Sequence, residues 1–89
     1  MRLPDHHHPD DAKWLRSQLD ALPVRCLARA VEGYSEAYRA AHDAEPADHK
    51  KDNAARFAAN TRLRAFVAAQ RRPLVETEYR RIFAIRAEK

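Results

Sequence analysis

The chain has 89 residues, with seventeen Lys and Arg against thirteen Asp and Glu, one Gly and one Cys. That length allows one domain with a small core, of the kind that is often marginal alone. A single cysteine excludes an intrachain disulfide and every zinc framework built on several cysteines, so added stability would have to come from a second chain or a large partner.

Abundant Ala, Arg and Leu, with few β-branched residues, point to an all-α fold. No apolar run approaches the roughly 18 residues of a membrane span. The start, MRLPDHHHPDD, lacks the apolar centre of a secretion signal. A cytoplasmic protein that does not enter a membrane is expected.

Residues 1–9 contain Pro4 and Pro9 and no periodicity, and read as a flexible arm. Residues 10–89 read as a single helical domain. Asp10 or Asp11 is placed to cap a first short helix over about 11–21, because a carboxylate there accepts unpaired amide hydrogens and suits the helix dipole. Trp14, Leu15, Gln18, Leu19 and Leu22 share one side of it.

Pro23 suits the first turn of a second helix. Val24, Leu27, Val31, Tyr34, Tyr38 and Ala41 follow at 3-4 spacing and form the cleanest periodic stripe in the chain. Arg25, Arg29, Glu32, Glu36 and Arg39 occupy the other side, with Glu36 and Arg39 spaced to pair. Gly33 in mid-helix implies a close neighbour or a bend.

The segment HDAEPADHKKD interrupts the pattern. Pro46 reads as the first turn of a third helix that runs to about Arg72. Pro73 then starts a fourth, with Val75, Tyr79, Ile82 and Arg86 on one stripe and Phe83 beside it. The run RRIFAIR also alternates, which leaves a strand open there. A short leading helix, a long antiparallel hairpin of helices two and three and a C-terminal helix make a small bundle.

Charge is concentrated in helix three. Residues 46–72 hold seven basic and two acidic groups, while the two segments before them each carry a net −1. Projected at 100° per residue, HKKDNAARFAANTRLRAFVAAQRR resolves into two thin apolar faces and a polar stripe. One face is Ala55, Ala59, Leu63 and Phe66. The other is Ala54, Phe57, Ala58, Ala65 and Ala68. Between them run Asn53, Arg56, Asn60, Arg64 and Arg71.

Arg and Asn are the residue types that read guanine and adenine edges. The plainer reading is the wet side of a packed helix, with the two asparagines bonded to a neighbouring helix. It is favoured, because helix-turn-helix motifs use shorter helices and a tight turn, often with Gly. Lys50, Lys51, Asn53, Arg56, Asn60, Arg64, Arg71 and Arg72 are the candidate partner- or nucleic-acid-binding residues. Tyr79, Ile82, Phe83 and Ile85 are the candidate apolar interface.

Catalytic signals are weak. His6, His7 and His8 with Asp5, Asp10 and Asp11, or His42 with Asp43 and His49, carry metal-ligating atoms but no spacing that fixes a coordination geometry. Cys26 reads as a small buried hydrophobe. Ser35 has no triad spacing, and no glycine-rich phosphate loop is present. No cofactor, metal or small-molecule substrate is expected, and no catalytic residue is assigned.

WLRSQLDALP, followed by YSEAYRAAHDAEPADHKKDNAARFAANTRLRAFV, resembles small uncharacterised helical proteins encoded in bacteriophage and prophage genomes. The resemblance covers about residues 14–67. It implies a non-catalytic protein that binds and modulates a larger host or phage protein, and it brings no assigned residues. A protein partner is therefore the leading expectation, with a homodimer allowed. A small DNA-binding protein using the Asn/Arg stripe is the alternative.

Overall fold

In the computed structural model, the backbone of residues 2–87 and the side chains of residues 2–70 are described. The fold is all-α. A 3-10 turn, Pro9–Asp11, leads into α1 (Ala12–Asp20). Then come α2 (Val24–Ala44), a second 3-10 turn, Asp48–Lys50, and α3 (Lys51–Ala87).

Proline sets the helix boundaries. Pro23 precedes α2 with an extended ψ of 148°, and its carbonyl accepts the Cys26 N–H at 2.9 Å. Pro46 acts differently from the expectation. It lies in the connection, after α2 has run on to Ala44, and does not open α3. The residue before a proline is pushed out of the helical region. Glu45 accordingly turns extended, at φ −81° and ψ 118°, and ends α2.

Pro73 does not start a fourth helix. α3 continues through it to Ala87, and the alternating run at 80–86 is helical as well. The proline has no N–H to offer the Ala69 carbonyl, so one rung of the helix is missing there. No strand occurs among the described residues.

α2 and α3 form the expected antiparallel hairpin. As the α2 partner steps back from His42 to Tyr34 to Cys26, the α3 partner advances from Lys51 to Asn60 to Gln70. Ala55 and Ala59 are both fully buried. Their small side chains let the helices approach closely enough to enclose Tyr34. Leu63 and Val67 continue the seam, α1 lays Leu15 and Leu19 across it, and Leu22 joins them just past the end of α1.

The buried side of α2 is turned from the stripe that the sequence displays. Cys26, Ala30, Tyr34 and Tyr38 face inward, whereas Val24 is 84% exposed and Leu27 and Val31 are half-buried. The segment expected to be a flexible arm lies against the bundle. Pro4 is buried, Leu3 packs on the core, and the His6 N–H donates to Ser35 Oγ at 3.3 Å.

Gly33 is explained by α3. The Arg62 guanidinium crosses it, and a Cβ there would meet Arg62 Nη2 at 3.2 Å. That neighbour is the end of an exposed, flexible side chain. Gly33→Ala is therefore expected to displace Arg62 and to raise stability by up to about 1 kcal/mol through helix propensity. A chemical melt compares the two proteins, and a lower midpoint for the variant would mean that Arg62 cannot yield.

Candidate functional site

Arg56, Asn60 and Arg64 of the α3 stripe face the leading helix. Arg56 donates from Nε and Nη2 to the two carboxylate oxygens of Asp11, each at 2.9 Å. This is the paired, fork-like geometry in which an Arg–carboxylate contact is strongest. Asn60 Nδ2 donates to Asp11 Oδ2 at 3.3 Å, and Asn60 Oδ1 accepts from the Tyr34 hydroxyl. One chain of bonds thus joins the start of α1, α3 and the middle of α2.

Asp11 was expected as a helix cap. It holds the N-cap position of α1, yet its carboxylate makes no capping bond. The nearest cap-like contact is one turn earlier, where His8 Nδ1 accepts the Asp10 N–H at 3.1 Å. The Asp11 side chain is 13% exposed, so a lone charge there would be poorly solvated. Arg56 meets that charge.

The bond from Arg56 holds the Asp11 carboxyl below its ordinary value, against the opposing effect of burial. The bond from Asp11 raises Arg56 in turn. Burial pushes the Tyr34 phenol up to about 12, with the Asp11 charge adding to it. Burial also raises Tyr38. Asp11 is therefore ionised and Tyr34 neutral throughout the physiological range. Neither is suited to exchanging protons near neutrality, as a general acid or base must. The chemistry of this network is cohesion.

The remaining candidates divide into three groups. Arg64 lies over the Trp14 ring, 4.9 Å from its centroid, so it also turns toward α1. Lys51 Nζ donates to the His42 carbonyl at 3.1 Å and to the Glu45 carbonyl. It thereby satisfies the free end of α2 and complements its dipole. Lys50 and Asn53 are exposed. The side chains of Arg71, Arg72, Tyr79, Ile82, Phe83 and Ile85 lie outside the described residues.

The second apolar face of α3 behaves differently from the first. Phe57 is 75% exposed, and Ala65 and Ala68 near it are exposed too, while Ala54 and Ala58 are half-buried. The expectation that both faces pack holds for only one of them.

His42 stacks at 6.4 Å on Tyr38, and Tyr38 at 6.4 Å on Tyr34. His42 Nε2 also lies 3.6 Å from Asp52 Oδ1. Among the described residues, no three His, Cys, Asp or Glu side chains gather as a metal site. No described helix is long and apolar enough to cross a membrane. No family model, curated protein or solved structure matches the chain.

Removing one end of the network should be milder than removing its middle. Tyr34→Phe is expected to cost about 1 kcal/mol, and Asn60→Ala on the order of 1–3 kcal/mol because it leaves a buried phenol without an acceptor. Urea melts of the two variants test this order.

The pH dependence has two limbs. The folded pKa of Asp11 lies below its ordinary 3.8, so its contribution is complete above that value and is lost as pH falls through the lower folded one. Tyr34 is raised, so its contribution is complete below its ordinary 10.0 and is lost as pH rises through about 12. Melts across pH should show that Asp11→Asn flattens the acid limb and also softens the alkaline one, because the Asp11 charge adds to the Tyr34 shift.

Proposed function

We propose that the chain is a non-catalytic helical module that docks on a larger protein through the outward face of α3, centred on Phe57. The observation that carries this reading is the 75% exposure of Phe57 beside a polar stripe that is already engaged within the chain. Among the described residues Phe57 is the one aromatic side chain so exposed, and it lies on the apolar outward face of α3. Aromatic and Arg side chains are also the commonest anchors of protein interfaces. Asn53 lies one turn before Phe57 on α3 and is exposed to serve in a polar rim.

The resemblance to phage-encoded helical proteins supports the same class of role, that of a small protein which binds a larger one and modulates it. Base reading by the stripe finds less support. Arg56 and Asn60, its central members, are held by Asp11 and Tyr34. They would have to abandon those bonds to reach a base.

Affinity capture with the full chain, with and without nuclease, tests the reading. Capture of a protein should survive nuclease treatment and fall by about tenfold or more with Phe57→Asp, the loss typical of a central anchor. The substitution is on the surface and should leave the circular dichroism unchanged. Capture indifferent to Phe57→Asp would sink the proposal. Capture abolished by nuclease would return the nucleic-acid reading.

A further inference from the structure

A second surface lies on the far side of α2 from α3. Leu27, Ala28 and Val31 floor a groove of about 640 Å³, and Arg2, Asp5 and His6 of the N-terminal segment wall it. Val24, one turn before Ala28, is 84% exposed. Val24, Leu27 and Val31 belong to the stripe whose periodicity marks it as core, yet Val24 is exposed and Leu27 and Val31 are only half-buried at the core's edge.

Beside this apolar strip, α2 carries Arg25, Arg29, Glu32 and Glu36, all exposed. Their spacing is four, three, four, and their signs run plus, plus, minus, minus; the exposed Arg39, next in the row, lies outside this self-complementary block. None of the four forms an ion pair with a described residue. The order also opposes the helix. Arg25, in the first turn, runs against the macrodipole, while Arg29, Glu32 and Glu36 lie too far along α2 to feel it. Arg before Glu is likewise the weaker orientation for a pair within one helix. Local helix stability therefore does not account for this pattern.

Symmetry does account for it. If two copies of α2 lie antiparallel about a two-fold axis between Arg29 and Glu32, the charged flank of one meets the same flank of the other. Arg29 then faces Glu32 of the second copy, and Arg25 faces Glu36, each pair occurring twice. The neighbouring strips of Val24, Ala28 and Val31 meet along the same axis. An unrelated partner would have to reproduce this order, whereas a second copy does so by symmetry, as isologous interfaces do.

We infer that the chain forms a homodimer through the outer face of α2, with the apolar strip supplying the contact and the charge order fixing its antiparallel register. The inference stands apart from the Phe57 reading, because it uses another face and other residues.

Sedimentation of the full chain across a concentration series tests it. The unaltered protein should reach a dimer. Arg25→Glu with Arg29→Glu places four like charges on each copy's flank and should weaken self-association by about a hundredfold, as like-charge juxtaposition does. Glu32→Arg with Glu36→Arg should do the same. An equimolar mixture of the two double variants should recover a heterodimer, and the fourfold exchange should recover a homodimer. A monomer at every concentration, a dimer indifferent to the reversals or a mixture that stays monomeric would each overturn the inference, and none of them would touch the Phe57 reading.

Discussion

Asp11 is a single carboxylate shared between helices that do not otherwise need to meet in one register. Arg56 grips both of its oxygens, Asn60 takes one of them, and the Tyr34 hydroxyl closes the chain on α2. With that carboxylate in place, α1 can only lie where Leu15 and Leu19 enter the α2–α3 seam and Trp14 slides beneath Arg64. Magnitudes separate two roles. Burying Leu15, Leu19 or Tyr34 is worth about 1.5–3 kcal/mol each, whereas each hydrogen bond nets about 1 kcal/mol. Apolar burial holds the bundle together, and the polar network selects one arrangement of it.

The helices could be read from the sequence because periodicity and proline placement are local signals. The hairpin followed from the short link at 45–47. What could not be read was rotation about the helix axis and pairing at a distance. On α2 the stripe of Val24, Leu27 and Val31 is more apolar than that of Cys26 and Ala30, yet the smaller residues face α3 because they allow close packing around Tyr34. Pro46 and Pro73 carry the same local signal and have different outcomes. The first follows a helix that is already ending, and the second lies within one that continues.

The Asn/Arg stripe shows a similar limit. Its two awkward asparagines suggest bonding to a neighbouring helix, which Asn60 does and the exposed Asn53 does not among the described bonds. The stripe's partner carboxylate lies forty-five positions from Arg56, at a residue whose local signal is that of a cap. Nothing nearby distinguishes Asp11 from Asp10 as the one turned inward. The exposed Phe57 was visible only as a member of a thin second apolar face, and its exposure depends on which face the bundle covers.

These placements change the meaning of the basic helix. Lys51 is committed to carbonyl oxygens, Arg56 to a carboxylate and Arg64 to an indole ring. Arg56 is thus neutralised and Lys51 is held in place, while Lys50, Arg62 and Arg64 stay exposed, so the segment keeps part of its positive field but not the central donor of its polar stripe. The surface that is left over is apolar in two places on opposite sides of the hairpin. A pairing of copies through α2 leaves both Phe57 faces outward, since α3 lies behind α2 from the groove. Two docking faces on one rigid dimer raise apparent affinity for a partner that repeats its own surface, by effective concentration and without any new contact. A small chain with a thin core gains in two ways from such an arrangement. The proposed dimer would supply burial that a single copy lacks, and it would double the proposed Phe57 anchor.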